Sequence, residues 1–146
     1  MRRTLRGLLG LGVALVSVAC GLPDRNDNSP WMRPGEDCIS CHREGGEAAD
    51  KQWTAAGTLF NTQGDAAEGA QVFIKDASGR SVTLTANGAG NFYTAEKLEA
   101  PFQTVSISAD GKQWTHMPSV WPASASCNSC HTETGAAGSR LVVRAP

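Results

Sequence analysis

The sequence predicts a mainly β chain: a small antiparallel β-sandwich flanked by two C-x-x-C-H segments. Three observations predict it. Polar and apolar residues alternate in Gln71-Val72-Phe73-Ile74-Lys75, Ser81-Val82-Thr83-Leu84-Thr85 and Thr104-Val105-Ser106-Ile107-Ser108, and a period of two belongs to a strand with one buried face. Clusters of Gly, Asn and Asp separate such stretches every ~8–12 residues, as in sandwiches. Cys38-Ile39-Ser40-Cys41-His42 and Cys127-Asn128-Ser129-Cys130-His131 stand on either side of that middle region. A length of 146 residues suits one small domain with appendages. With 40% apolar and 18% charged residues and no heptads, the chain is neither a coiled coil nor a charged disordered tail. The 13 basic and 14 acidic residues leave a net −1, without the basic footprint of a nucleic-acid binder.

Residues 1–19 read as a signal peptide. Arg2, Arg3 and Arg6 make a positive start, and Leu8 to Val18 is an apolar run well short of the ~20 residues a spanning helix needs. The following Ser17-Val18-Ala19-Cys20 resembles the box of bacterial lipoprotein signals, with Ser17 standing where that box ordinarily has Leu or Val. The resemblance implies a lipid on Cys20, which would anchor the protein by acyl chains without a transmembrane helix. Ordinary secretory cleavage near Ala19, leaving a free thiol, is the alternative. The residue after Cys20 is Gly21 rather than the Asp of inner-membrane retention, which favours the outer membrane. The expected location is that of an exported periplasmic or outer-membrane lipoprotein of a bacterium. Cleavage removes three arginines and no acid, so 10 basic against 14 acidic residues give the mature chain −4. Residues 20–36 read as a lipidated flexible tether, because Gly21 to Pro30 is polar and turn-rich with no periodicity.

Residues 37–52 and 121–146 hold the two C-x-x-C-H motifs, the attachment sequence of c-type haem. Each position has a chemical reason. Two thiols add across the two porphyrin vinyl groups, and two intervening residues let one turn of backbone present both sulfurs to one haem edge. The next residue offers its imidazole to the iron. The expected cofactors are therefore two covalently bound haem c groups, on Cys38 and Cys41 and on Cys127 and Cys130, with His42 and His131 as proximal ligands. A zinc ribbon is a rival reading, but its cysteine pairs usually lie ~15–20 residues apart and need no following His; here Cys127 lies 85 positions after His42. Disulfides in an oxidising compartment are the other rival.

Distal ligands come from a short supply. His116 is the remaining histidine, so at most one haem is bis-histidine. Met32 stands six residues before Cys38 and Met117 ten before Cys127, and a thioether raises the potential of a haem iron. The ordinary roles weigh against each: a Met fills core gaps, and a lone His on a strand is often a satisfied surface residue. A strand through Lys112 to Met117 would put His116 and Met117 on opposite faces, leaving one of them to face a given haem. Trp31 and Trp121 precede the two motifs and are candidates to wall the haems from water; ordinary strand packing explains them equally well.

Residues 53–120 read as the sandwich. Trp53 to Phe60 runs into the turn Asn61-Thr62-Gln63-Gly64. Gln71 to Lys75 ends before Asp76-Ala77-Ser78-Gly79. After Ser81 to Thr85, Asn87-Gly88 signals a hairpin, with Gly90-Asn91-Phe92-Tyr93 starting the return strand. Thr104 to Ser108 stops at Asp110-Gly111, and Lys112 to Met117 reads as one more strand. Arg140 to Arg144 closes the sheet. About 65 residues make a thin core, to which two apolar haems would add buried surface. Lys51-Gln52-Trp53-Thr54 recurs as Lys112-Gln113-Trp114-Thr115, too briefly for a domain repeat.

The segments Ala56-Gly57-Thr58-Leu59-Phe60, Gly69-Ala70-Gln71-Val72 and Asn87-Gly88-Ala89-Gly90-Asn91-Phe92 resemble the carboxypeptidase regulatory-like β-sandwich family, related in shape to transthyretin. The resemblance covers about half the chain and implies a non-catalytic, seven-strand sandwich. The His-x-x-Glu zinc site of the neighbouring peptidase domain has no counterpart, since none of His42, His116 and His131 is followed by Glu at that spacing. The whole order, from Met32-Arg33-Pro34-Gly35 through the first motif and the sandwich to Met117 and the second motif, resembles exported dihaem proteins of metal-respiring and predatory bacteria. That resemblance implies Met32 and Met117 as ligands.

The expected function is a membrane-tethered dihaem cytochrome c, passing single electrons between exported redox proteins or to a terminal electron acceptor. It is an electron carrier before it is an enzyme. Two alternatives remain: a haem enzyme or small-molecule binder with one open axial site, and a carbohydrate- or protein-docking module that carries haems. No phosphate loop, serine elbow or carboxylate pair stands in motif context.

Overall fold

The computed structural model describes residues 29–118 and 125–144. The signal segment, Cys20, the first part of the tether and Trp121 lie outside the described residues.

Alternation in sequence becomes alternation in burial. Strand β2 (Gln71–Lys75) buries Val72 and Ile74 and leaves Gln71, Phe73 and Lys75 half-buried. It lies between β3 (Ser81–Thr85) and β5 (Thr104–Ser108), antiparallel to both, with Val72 opposite Leu84 and Ile107. The short β6 (Thr115–His116) adds to β5, giving the order β3-β2-β5-β6. A second antiparallel sheet pairs β1 (Ala55–Thr58) with β4 (Asn91–Thr94), Gly57 opposite Phe92. The described chain is therefore mainly β, with two antiparallel sheets and two single helical turns, α1 (Cys38–Cys41) and α2 (Cys127–Cys130). Val72, Ile74, Leu59, Phe92 and Val143 form the core, together with small residues such as Ala55, Ala70 and Ala86. Burial of each larger side chain contributes ~1.5–3 kcal/mol.

Three local expectations change. No hairpin forms at Asn87-Gly88; the chain crosses there from one sheet to the other. The Asn87 Oδ1 accepts from Ala89 N at 2.9 Å and Asn91 N at 3.0 Å, making a longer loop. Gly90 sits at φ +78° against the Leu59 carbonyl, where a Cβ would collide, and this brings β4 beside β1 rather than β3. The expected strand from Lys112 to Met117 shrinks to Thr115–His116, because Lys112 N and Gln113 N donate to Asp110 Oδ1 instead of to a neighbouring strand. Arg140 to Arg144 gives an isolated bridge, Val142 to Phe60, in place of a closing strand. Among the described residues there are six named strands, where the family resemblance implies seven.

Residues 30–36, read as the end of a tether, are fastened to the sheets. Asn87 Nδ2 donates to Pro30 O at 2.6 Å, Asn91 Nδ2 to Met32 O at 2.8 Å, and Gly35 N to Thr58 Oγ1 at 2.8 Å. Among the described residues no helix is long and apolar enough to cross a membrane.

Candidate functional site

Each C-x-x-C-H motif folds as one helical turn closed by the same bonds. His42 N donates to Cys38 O at 3.0 Å and His131 N to Cys127 O at 2.9 Å. The Ser40 hydroxyl donates back to Asp37 O, and the Ser129 hydroxyl to Ser126 O, at 2.6 and 2.7 Å. Beyond each histidine the chain loops back: Ala48 N donates to Cys41 O and Ala137 N to Cys130 O, both at 3.1 Å. Gly46 and Gly135 lie against those same carbonyls, where a Cβ would collide. The likeness thus runs from Asp37 to Ala48 and from Ser126 to Ala137, with Cys, Ser, Cys, His, Glu, Gly and Ala at matching places. The sequence carried this signal: Gly and Ala stand four and six residues after each histidine.

Both turns gather on β1. One edge of β1 pairs with β4; along the other, Ala56 N donates to Ala125 O at 3.0 Å and Thr58 N to Asn128 Oδ1 at 2.8 Å. Gly57 makes this approach possible. A Cβ there would lie 2.8 Å from both Asn128 Oδ1 and Phe92 Cζ, and 2.9 Å from Cys127 Cβ. The two turns also touch at their starts, where the Ser126 hydroxyl donates to the Asp37 carboxylate.

His42 is 3% exposed. Its Nδ1 lies 2.7 Å from Lys51 O. A carbonyl only accepts, so Nδ1 carries the proton, and the neutral ring keeps its lone pair on Nε2. That Nε2 faces Met32 Sδ at 3.4 Å. Metal–nitrogen and metal–sulfur bonds of about 2.0 and 2.3 Å would need the pair to part by about 1 Å. Trp53 stacks on the imidazole at 3.5 Å and 12°, and Tyr93 on Trp53 at 4.2 Å and 11°. Met32, Cys38, Cys41, His42, Trp53 and Phe92 line a cleft of about 300 Å³. Trp31, a candidate wall for this site, is instead 58% exposed and lies against Gly88. Trp53 holds the walling position, and sequence reasoning missed it. Its recurrence in Lys112-Gln113-Trp114 has no structural parallel, since Trp114 meets Phe73 edge-on.

Cys127, Cys130 and His131 open on a second cleft, of about 270 Å³, floored by Val72, Ile74, Phe92, Val105 and Ile107. His116 and Met117 both line it. The expectation that only one of them faces a given site gives way to a cleft that both line, although Met117 N still donates to Val105 O at 2.9 Å and continues the pairing of β6 with β5. His116 Nδ1 and Ser106 Oγ share a hydrogen bond of 2.7 Å, which leaves Nε2 for another partner. His131 Nδ1 is buried without a hydrogen-bond partner. Burial pushes the His131 pKa down, and the Ser139 backbone acts in the opposite direction without supplying a hydrogen bond to Nδ1.

All four described cysteines are free thiols. Burial pushes Cys38 up to about 11. Burial, followed by the nearby Cys38, pushes Cys127 up to about 12. Against an ordinary value of 9.0 these thiols hold about 100-fold and about 1000-fold less thiolate at pH 8. In apoprotein made without a haem-attachment system, Cys38 and Cys127 are therefore expected to alkylate more slowly with iodoacetamide than an unperturbed cysteine, by less than the fall in thiolate because a thiolate of higher pKa is the better nucleophile. Peptide mass mapping of a time course checks it, and rapid labelling of either would show that the burial is not maintained.

The arrangement offers the same donor set twice: two thiols and one imidazole on a single turn, above an apolar cleft. It suits covalent thioether attachment of a flat apolar group together with ligation of a metal. Comparison of the chain with family models, with curated proteins and with solved structures gives no match.

Proposed function

We propose that the protein is an exported dihaem c-type cytochrome that passes single electrons, held at a membrane by a lipid on Cys20. The observation that carries this reading is the meeting of His42 Nε2 and Met32 Sδ at 3.4 Å above the Cys38–Cys41 turn. An imidazole nitrogen and a thioether stand together beside two thiols, the donor set that would hold a haem iron once the two atoms part. The same donor set recurs at Cys127, Cys130 and His131, where the orphaned, buried His131 Nδ1 belongs to a ring held in place without satisfying the protein's own hydrogen bonds.

Haem, when bound, supplies one-electron redox chemistry at iron. The chain does the rest. Cys38, Cys41, Cys127 and Cys130 fix the two groups covalently. Lys51 O holds the His42 ring in one tautomer and one orientation. Trp53 and Phe92 exclude water from the first cleft, and Val72, Ile74 and Ile107 from the second. His116 and Met117 line the same cleft as His131 and are the residues that would supply a second ligand there. A β-sandwich of the carboxypeptidase regulatory-like kind is the scaffold consistent with the two sheets, and partners are exported redox proteins or a terminal electron acceptor rather than nucleic acid.

The visible spectrum of oxidised holoprotein tests the reading. Low-spin iron with a far-red sulfur–iron band is expected. Its intensity equals one Met-ligated haem per chain if His116 serves the second site, and two if Met117 does. Absence of the band would remove the His42/Met32 pair. A high-spin fraction that binds peroxide would favour the enzymatic alternative. For the anchor, Cys20→Ala is expected to move the protein from the detergent phase to the aqueous phase of a Triton X-114 partition while leaving export intact. Unchanged partition would exclude lipidation there.

A further inference from the structure

We infer that Thr58 and Asn91 are positioning residues for the Met32 thioether, and that Asn128 of the second cysteine–histidine turn belongs to the same relay, so that the second turn helps set the ligand of the first. The inference rests on the haem reading above. The turn carrying Met32 has bonds of its own, Met32 N to Ser29 O and Glu36 N to Arg33 O, both at 3.2 Å, but its backbone is strained: Arg33 sits at φ +36°, which a residue with a Cβ rarely adopts, and Gly35 at +86°. Its fixed points come from the sheet below. Gly35 N donates to Thr58 Oγ1 at 2.8 Å, and the Thr58 hydroxyl donates in turn to Asn91 Oδ1 at 2.8 Å. That second bond decides which way the Asn91 amide points. With Oδ1 taken by a donor, Nδ2 is directed at Met32 O, which it meets at 2.8 Å. A flipped amide would put two acceptors face to face. At the far end, Thr58 N donates to Asn128 Oδ1 at 2.8 Å. Thr58, Asn128 and Asn91 are 0%, 2% and 6% exposed, so water does not substitute for a lost member.

The second turn thus fixes the Thr58 backbone through its N–H, the Thr58 hydroxyl fixes Asn91 and Gly35, and Asn91 fixes the Met32 backbone, whose sulfur faces His42. Loosening any link lowers the fraction of molecules with the thioether in place. An exogenous ligand for the first iron then binds more tightly in proportion.

The test uses holoprotein carrying Met117→Leu, so that the remaining sulfur–iron band reports Met32. Thr58→Val removes the hydroxyl at constant shape. It is expected to diminish the band and tighten imidazole binding about tenfold, with two covalent haems retained. Thr58→Ser restores the hydroxyl and is expected to restore both signals, which a purely steric role for the Thr58 side chain would not do. Asn128→Ala, in the other turn, is expected to weaken the band in the same direction. Hydrogen exchange at the Gly35 amide, read on the same proteins and on apoprotein, is expected to quicken in Thr58→Val and not in Thr58→Ser. Should Thr58→Val fail to fold, Asn128→Ala decides. A normal band and normal imidazole affinity in Thr58→Val, or in Asn128→Ala if that variant decides, overturn the inference while leaving the haem reading intact. A Met117→Leu parent with haem but no band overturns it together with the His42/Met32 pair, and a parent without haem removes the reading on which both rest.

Discussion

Produced with a c-type maturation system, the protein is expected to carry two haems that denaturation does not remove. Replacing both thiols of one turn, Cys38→Ala with Cys41→Ala or Cys127→Ala with Cys130→Ala, is expected to abolish one of the two. A single Cys41→Ala or Cys130→Ala should weaken one attachment rather than both, since one thioether can still form. The structural reason is that each turn closes on its own backbone: Ala48 N on Cys41 O and Ala137 N on Cys130 O hold each loop independently. Mass of the denatured chain and in-gel haem staining give the count. A wild-type protein that shows no covalent haem under these conditions would end the cytochrome proposal, and return the paired cysteines to metal or disulfide chemistry.

The second large effect is expected at Gly57. Its Cα is where the second turn, β4 and β1 come closest, with three atoms within 2.9 Å of any added Cβ. Two of the three neighbours have little room to yield: Phe92 is a 2% exposed core residue, and Asn128 is fixed by its bond to Thr58 N. Gly57→Ala is therefore expected to cost ~1–3 kcal/mol as an overpacked site. Gly57→Val should cost more and lose the haem on Cys127 and Cys130 while keeping that on Cys38 and Cys41. Thermal unfolding and the haem count of the two variants check this. A Gly57→Val protein with both haems and wild-type Tm would show that the second turn does not dock on β1 as described.

Much of this was legible in the sequence, for definite reasons. Strand alternation located β2, β3 and β5 to the residue, because each alternates its side chains between two unlike faces; in β2 the apolar face is buried, whereas Val82 and Leu84 of β3 and Val105 and Ile107 of β5 are half-buried against the core. The C-x-x-C-H motifs announced themselves because two thiols and an imidazole on one turn are rare by chance. What the sequence hid was mostly non-local. Asn87-Gly88 carries a hairpin signal, yet the partner of β4 is decided by Gly90 fitting under Leu59 O, a contact between residues 31 positions apart. Trp53 looked like an ordinary strand aromatic, since nothing local says that its ring stacks on His42. Thr58, Asn91 and Asn128 each read as a common polar residue of a strand or turn; only their convergence makes them a relay. The Asp110 cap that removes Lys112 and Gln113 from the start of the expected strand was hidden too, since an Asp at a strand end reads equally as a turn residue.

The matched segments from Asp37 to Ala48 and from Ser126 to Ala137 sit on a sheet scaffold that is not itself duplicated. Many of the hydrogen bonds that shape them are internal, and each also leans on its host, His42 on Lys51 O and Asn128 on Thr58 N. If the turns carry haem as proposed, the number of centres per molecule follows from how many such segments are spliced into loops beside a host that supplies those contacts. For protein engineers, the twelve residues from Asp37 to Ala48 are therefore not a complete graft: Met32, Lys51 and Trp53, all outside them, complete the surroundings of His42.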